Sequence, residues 1–280
     1  MMQHEVPMPM TADAAIGIFD SGVGGLSVLR HVHAALPRER LLYVADSGFA
    51  PYGDKPDAAI VARSLAIANF FASQRVKALV VACNTATAAA IEAIRAQWPQ
   101  WIVVGIEPGL KPAAQQSRSG VVGVLATRST LASQRFAALR AQSEAQTAVR
   151  YLTQACVGLV DLIEKGELHS VATNQLLEGY LRPLLEQDVD TLVLGCTHYP
   201  FVRETIELVC RRLSGKVPAI IDTGEAVTRQ LHRLLQKAGL LDTTGAGSLC
   251  GFTTASQRTL ENAFGRLLDL HPPVRALAAG

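Results

Sequence analysis

The sequence predicts an α/β protein built from two similar three-layer domains, each with a mostly parallel sheet. Three observations lead to this fold class. Short apolar runs alternate with helical stretches, two parts of the chain resemble each other, and proline and glycine interrupt the pattern near the middle. With 280 residues, 49% of them hydrophobic and 18% charged, the chain is long enough for two compact domains and too apolar for disorder.

The elements are expected to alternate along the chain. Apolar runs of strand length lie at 16–20, 41–46, 78–83, 102–106, 121–126, 191–195 and 219–222. Amphipathic stretches of helical period lie at 26–36, 58–71, 86–98, 131–139, 174–185 and 202–213. This alternation is typical of parallel sheets buried on both faces, where ligands bind beyond the carboxyl ends of the strands. Polar residues directly after a strand are therefore the candidate site residues.

The internal repeat divides the chain into two halves. "ALVVACNTATAAA" at 78–90 resembles "TLVLGCTHYPFVR" at 191–203, and 16–30 corresponds loosely to 122–136. Two halves of common origin would be related by a pseudo-twofold axis with a cleft between them, although chance similarity between buried strands is the alternative. The predicted first domain comprises residues 14–108 and 222–270, the second residues 109–221, and a loose N-terminal tail residues 1–13.

Composition excludes several classes of function. The formal net charge is +2 and the chain has no run of lysine and arginine, so the sequence does not predict a basic surface that would bind nucleic acid. No apolar stretch approaches the ~20 residues of a membrane helix, and the start of the chain lacks the pattern of a signal peptide, so we expect a cytoplasmic protein. The five cysteines form no CxxC pair, so we expect free thiols rather than a zinc or thioredoxin motif.

The first candidate motif is "FDSGVGG" at 19–25, where a strand ends in Asp20 and Ser21 and glycines lead into a helix. Such a turn can present backbone amides to a carboxylate or phosphate. It matches neither the dinucleotide fingerprint nor the P-loop. The alternative is an ordinary strand–helix turn in which Asp20 or Ser21 caps the helix.

The second and third motifs each place a cysteine at a strand end. In "ACNTAT" Cys83 precedes Asn84 and Thr85, which suit helix capping, and a thiol beside a helix N-terminus is expected to form a thiolate more easily. In "GCTHYP" Cys196 lies two residues before His198, which can relay a proton. The alternatives are packed cysteines, or a metal site, although the spacing fits no zinc pattern.

The two cysteines together indicate more than either one. At equivalent strand ends of two similar halves, Cys83 and Cys196 would face each other across one cleft. Inversion of a carbon centre by proton transfer needs a base on one face and an acid on the other, and matched thiols supply both. No lysine follows a strand in the manner of a pyridoxal phosphate site, so the carbanion would have to be stabilised by fixed dipoles in a dry pocket. "APYG" at 50–53 and "ATRST" at 126–130 follow strands and are weaker candidates, since each also suits a turn or a cap.

These motifs, in this order, resemble those of bacterial glutamate racemases: "DSGVGG", "YVADSGFAPYG", "CNTAT", "ATRST" and "LGCTHYP" between about Ile16 and Gly251. The resemblance implies two domains with the active site between them, no cofactor, no metal, and a homodimer. It implies Cys83 and Cys196 as proton-transfer residues, with Asp20 assisting the first and His198 the second. It implies substrate contacts from Asp20, Ser21, Tyr52, Gly53, Asn84, Thr85, Thr127, Thr197 and His198.

The resemblance also places a supporting glutamate at Glu164, in a stretch where the family carries prolines and this chain has Val157 and Asp161. The function it implies is interconversion of L- and D-glutamate for peptidoglycan synthesis. Three alternatives stay open: a racemase for another acidic substrate such as aspartate, a thiol–disulfide enzyme, and a two-lobed protein that binds a small acid. The absence of a CxxC pair argues against the thiol–disulfide enzyme. The matched pair of thiols argues against a protein that only binds a small acid.

Overall fold

The computed structural model describes residues 10–278, and its first half forms a layered α/β unit. Its elements are β1 (Ile16–Asp20), α1 (Leu26–Ala35), β2 (Arg40–Ala45), a 3-10 turn (Tyr52–Asp54), α2 (Asp57–Ser73), β3 (Ala78–Val81), α3 (Asn84–Gln97) and β4 (Ile102–Gly105). Residues 1–9 of the predicted tail 1–13 lie outside the described residues.

The second half repeats this alternation. Its elements are α4 (Leu110–Gln116), β5 (Val121–Ala126), α5 (Arg128–Ala132), α6 (Gln134–Gln146), β6 (Arg150–Ala155), α7 (Leu159–Glu164), α8 (Val171–Leu185), β7 (Thr191–Gly195), a 3-10 turn (Tyr199–Val202), α9 (Arg203–Ser214) and β8 (Ala219–Ile221). The chain then continues through α10 (Gly224–Lys237), β9 (Ser248–Thr253), α11 (Gln257–Leu268) and β10 (Val274–Ala276).

Two parallel sheets organise these elements. The first has the order β10-β9-β2-β1-β3-β4 and the second the order β6-β5-β7-β8. The segment after β8 thus returns to the first sheet. Within each half the first strand is central, the second lies on one side, and the third and fourth lie on the other. The predicted repeat therefore corresponds to a shared strand order, which places the ends of β3 and β7 at equivalent positions.

Apolar side chains cover both faces of each sheet, which is why the central strands read as unbroken hydrophobic runs. One face of the first sheet packs on α1, α10 and α11 through residues such as Leu29, Leu231 and Phe264. The other face packs on α2 and α3 through residues such as Phe71 and Ile91. The second sheet is likewise covered on both faces. Polar groups are thereby displaced to the strand ends.

A buried ion pair lies at the start of β2 and β3, at the end of the first sheet away from those strand ends. The Nζ atom of Lys77 lies 2.5 Å from the Oε2 atom of Glu39, and both side chains are almost fully buried. Lys77 also donates a hydrogen bond to the carbonyl of Ala12, and Glu39 accepts one from the backbone amide of Asp242. The pair thus joins the described part of the N-terminal segment to the segment between α10 and β9.

Within residues 10–278, no helix has the length and apolar character that crossing a membrane requires.

Candidate active site

A cavity of about 140 Å³ opens where the carboxyl ends of the two sheets face each other. This volume is close to that of an engineered cavity, ~150 Å³, that binds benzene, so it suits a small molecule. Among the predicted site residues, the cavity wall includes Ser21, Tyr52, Gly53, Cys83, Asn84, Thr85, Thr127, Glu164, Cys196, Thr197 and His198. Asp20 lies directly behind this wall. The structure therefore brings together residues from both halves that are far apart in the chain.

Cys83 follows β3 and caps α3 itself. Its sulfur accepts a hydrogen bond from the backbone amide of Ala86 (N···Sγ 3.4 Å) and lies 3.7 Å from the hydroxyl of Ser21. The sequence indicated Asn84 or Thr85 as the cap, but the helix begins at Asn84 with Cys83 in the capping position. Because the sulfur serves as the cap, the side chains of Asn84 and Thr85 are left to line the cavity.

Burial raises the pKa of the Cys83 thiol, and the negative charge of Asp20 raises it further. The hydrogen bond that Cys83 accepts from Ala86 and the one that it forms with the Ser21 hydroxyl lower the pKa without reversing the shift. Helix position alone had suggested an easily formed thiolate, but Cys83 is only 5% exposed, and desolvation outweighs the helix N-terminus. The raised pKa therefore favours the protonated thiol of Cys83. Burial also raises the pKa of Asp20, against the opposing charge of His198.

On the opposite side of the cavity, Cys196 belongs to a chain of polar contacts. Its sulfur lies 3.6 Å from Nδ1 of His198, whose Nε2 is 2.7 Å from Oε1 of Glu164. The same carboxylate oxygen accepts a hydrogen bond from the backbone amide of Val23 (2.8 Å). The Glu164 side chain, from α7 in the second half, thus contacts the glycine turn of the first half.

Burial acts to lower the pKa of His198, but hydrogen bonds to Cys196 and Glu164 outweigh it and raise that pKa well above its usual value. Burial acts to raise the pKa of Glu164, but the hydrogen bond and charge of His198 leave that pKa lowered. Both shifts favour an imidazolium–carboxylate pair. The pair's contribution to stability is lost as the pH rises through the pKa of His198, or falls through the pKa of Glu164.

The glycines of "DSGVGG" make room for this contact. A Cβ atom on Gly22 would collide with the carboxylate of Glu164, and one on Gly24 would collide with the imidazole of His198. The turn does present amides to carboxylates, as its sequence suggested, but those carboxylates are the protein's own. The amide of Gly22 donates to Asp20 (3.1 Å), as the amide of Val23 does to Glu164. Thr197 also donates to Asp20 (Oγ1···Oδ1 3.3 Å) across the two halves.

Neutral polar groups line the remainder of the cavity. The side-chain oxygen and nitrogen of Asn84 are both buried without a hydrogen-bond partner. Because neither atom binds another described residue, both can hydrogen-bond to a ligand in the cavity. Beside it, the hydroxyls of Thr85 and Thr127 lie 3.2 Å apart, and that of Thr127 donates to Thr130 (2.9 Å). These groups can hold a carboxylate.

Sequence reasoning missed the residues that hold Tyr52 in the cavity wall. Asp46, fully buried directly after β2, accepts hydrogen bonds from the hydroxyl of Tyr52 (2.7 Å) and from two nitrogens of Arg63 (2.7 and 2.8 Å). The hydroxyl of Thr254, in the returning C-terminal segment, donates to the same carboxylate (2.7 Å). An aspartate at a strand end was the available signal, but its partners lie too far along the chain to be inferred.

The cavity wall also includes residues that were not among the predicted site residues, such as Asp54, Arg128, Cys156 and Asp161. Cys156 follows β6 and is buried, which raises its pKa to about 12, so it is a poor thiolate at neutral pH. Among the described residues, no group of three or more histidine, cysteine and acidic side chains is arranged to hold a metal ion.

The fold and the site together define a class of protein. It is a pseudo-symmetric α/β protein in which β3 and β7, equivalent strands of the two halves, are each followed by a cysteine that lines a shared cavity.

Comparisons with known proteins identify the family. The model of the Asp/Glu/Hydantoin racemase family matches residues 16–238. The chain is 53% identical over 235 residues to the glutamate racemase of Pseudomonas syringae pv. tomato, covering 84% of this chain and 83% of that protein. The chain therefore belongs to the Asp/Glu/hydantoin racemase family, which confirms the resemblance and the prediction of a racemase-class enzyme.

Solved structures agree with this assignment. The crystal structure of a glutamate racemase from Bacillus anthracis has a TM-score of 0.84 at 31% identity, with 95% of this chain and 98% of that chain covered. The glutamate racemase of Francisella tularensis in complex with D-glutamate has a TM-score of 0.82 at 26% identity, with 96% and 98% covered. The predicted fold class, two parallel α/β domains related by pseudo-symmetry, is confirmed.

The contact between His198 and Glu164 leads to a testable pH dependence. In a Glu164→Gln variant the amide still accepts from Val23 but no longer supplies a negative charge to His198, so the pKa of His198 should fall. We expect NMR of labelled histidine to show His198 losing its proton at a lower pH than in the wild type. At alkaline pH, kcat/KM of the variant should be about tenfold below that of the wild type, the loss expected when one hydrogen bond to a charged group is removed. An unchanged titration of His198 would contradict this account.

Proposed function

We propose that this protein interconverts L- and D-glutamate by transferring protons at the α-carbon between substrate and two cysteines, Cys83 and Cys196. One observation carries the proposal: the two thiols come from equivalent strand ends of opposite halves and line the same small cavity. Each is nearly buried, at 5% and 7% exposure. A protein that only binds a small acid has no use for such a matched pair.

Proton transfer would proceed with one thiolate and one thiol. The thiolate removes the α-proton from one face of the carbon, and the thiol on the opposite face returns a proton, so the configuration is inverted. The raised pKa of Cys83 suits the donor role in one direction. In the other direction Cys83 must lose its proton first. The negative charge of Asp20 alone would oppose that loss, so we propose that Asp20, whose own pKa is raised by burial, assists by accepting the proton.

The Cys196 side is assisted differently. We propose that His198, 3.6 Å from the sulfur, stabilises the thiolate as an imidazolium or relays its proton, and that Glu164 fixes the charge and orientation of that ring. Different groups would thus assist proton transfer on the two sides of the site: a carboxylate acts beside Cys83, and a histidine–glutamate pair acts beside Cys196.

The carbanion needs stabilisation as well, because the α-proton of an amino acid is very weakly acidic. We propose that the substrate's α-carboxylate binds the unpartnered amide of Asn84 and the hydroxyls of Thr85 and Thr127, where fixed dipoles face developing negative charge. The remaining members of the predicted set of substrate contacts are Asp20, Ser21, Tyr52, Gly53, Thr197 and His198. Closure around so small a cavity would exclude the water that otherwise weakens such interactions.

The biological setting is part of the same proposal. D-glutamate made by this reaction would supply peptidoglycan synthesis in the cytoplasm, and the homodimer implied by the resemblance stays a prediction. So does the division into a first domain of residues 14–108 and 222–270 and a second of residues 109–221. Support comes from the named glutamate racemases among the relatives.

The test is proton exchange in D₂O without added cofactor. We expect L-glutamate to lose its α-proton signal by NMR and its optical activity by circular dichroism, and D-glutamate to do the same. Exchange of aspartate but not glutamate would keep the mechanism and replace the substrate. If no acidic amino acid exchanged, the racemase proposal would fail and the small-acid binding protein would take its place.

A further inference from the structure

Arg128 lies at the rim of the active-site cavity without a partner. It is the first residue of α5, its side chain is exposed, and it belongs to the cavity wall. Of the wall residues in the described chain, it alone is a lysine or arginine. No hydrogen bond or ion pair joins its guanidinium to any residue between 10 and 278. By contrast, Arg63 binds Asp46 through two nitrogens.

The other charges on the wall make this guanidinium important for an acidic ligand. Asp54 and Asp161 are exposed at the rim, and Glu164 lies deeper, paired with His198. An approaching anion is therefore repelled by two rim carboxylates, and Arg128 is the charge that offsets them. Charges around a cleft change the local concentration and the rate of entry of a charged ligand.

The position of Arg128 directly after Thr127 bears on how a dicarboxylate would bind. Its neighbour Thr127 contributes a hydroxyl to the inner cavity, where it meets Thr85. If the α-carboxylate binds these hydroxyls, as proposed above, the side-chain carboxylate is left to bind elsewhere on the wall, where Arg128 is the one described lysine or arginine. A guanidinium there can bind a carboxylate through two parallel N–H groups.

We propose that Arg128 attracts the acidic substrate to the cavity and binds its side-chain carboxylate at the rim, making it a determinant of substrate specificity. This inference rests on the proposed function and adds to it the residue that recognises the second carboxylate. Because Arg128 is exposed, its contribution is screened by salt and affects substrate binding rather than proton transfer.

Three variants test the proposal. In Arg128→Gln we expect KM for both enantiomers of glutamate to rise about three- to fivefold, the effect of losing one exposed charge pair, while kcat stays within about twofold. Arg128→Lys retains the charge and should recover most of the loss. Arg258→Gln is the matched control, since Arg258 is an exposed arginine on α11 outside the cavity wall. Its KM should equal that of the wild type.

Ionic strength supplies a readout that a structural role would not affect. Raising the salt from ~0.05 M to ~1 M shortens the screening length to ~3 Å, so KM of the wild type should approach that of Arg128→Gln. An unchanged KM in Arg128→Gln, or an equal change in Arg258→Gln, would overturn the proposal. If the wild type does not racemise glutamate, the proposed function fails separately. Calorimetric binding of D-glutamate then decides on Arg128: weaker binding to Arg128→Gln supports its role, and equal binding overturns it.

Discussion

Replacing either cysteine with alanine is expected to abolish racemisation, lowering kcat/KM by about 10³-fold or more in both directions, the scale of a lost general acid or base. Cys83→Ala leaves Cys196 able to remove and return a proton on its own face, and Cys196→Ala leaves Cys83 able to do so on the other. Each variant should therefore exchange the α-proton of one enantiomer in D₂O with retention, and the two variants should select opposite enantiomers. NMR of each enantiomer measures this.

Cys250→Ala provides the control for loss of a thiol. Cys250 lies in β9, half-buried, and is not part of the cavity wall, so its variant should racemise glutamate at the wild-type rate. Racemisation that persisted in Cys83→Ala or Cys196→Ala would show that the thiols do not act as the two bases. Exchange of both enantiomers by one variant would place a second base in the cavity, and Cys156 would be the first candidate.

The buried parts of the fold follow most directly from the sequence. The bounds of β1, β5 and β7 match the predicted runs, because these central strands are covered on both faces and cannot tolerate polar residues. Strand β6, with the sequence "RYLTQA", was not predicted, since it is an edge strand in which only Tyr151 is buried. The first-sheet edge strand β10 is only three residues long and was missed as well.

Local chemistry also interrupts one predicted helix. The stretch 131–139 was expected to be continuous, but Ser133 ends α5 and begins α6. Its hydroxyl donates to the carbonyl of Thr130 and accepts from the amide of Phe136, which satisfies one backbone group on each side. Side-chain hydrogen bonding of this kind competes with a continuous helix, and hydrophobic periodicity does not report it.

The site was predictable where the signal lies at a strand end and unpredictable where it depends on distant partners. The positions of Cys83, Cys196 and Asp20 followed from their places after buried strands. The contacts of Glu164 with Val23 and His198 join the two halves, so motif resemblance was the only available guide to that residue. Arg128 lies within the candidate motif "ATRST" but was not singled out, because its importance depends on which charges surround the cavity.

The pair formed by Lys77 and Glu39 bears on the stability of the first sheet rather than on its chemistry. Both side chains are removed from water, so each charge depends on the other and on the groups that Ala12 and Asp242 supply. Removing one partner leaves an uncompensated charge in the interior, which costs far more than losing an exposed ion pair. Ala12 lies before β1 and Asp242 lies before β9, so the pair connects segments that are distant in the chain. Loss of the pair should therefore destabilise the first sheet as a whole.

In Lys77→Met we accordingly expect the free energy of unfolding to fall by about 3–5 kcal/mol, measured by urea denaturation. The double variant Lys77→Met with Glu39→Gln should recover part of that loss, because the glutamine is neutral yet keeps an acceptor for the amide of Asp242. Lys216→Met removes an exposed lysine and should change the free energy by less than ~0.5 kcal/mol. Equal stabilities for the Lys77 and Lys216 variants would mean that the buried pair contributes no more than a surface charge. A double variant less stable than Lys77→Met would mean that the unpaired carboxylate is not the source of the loss.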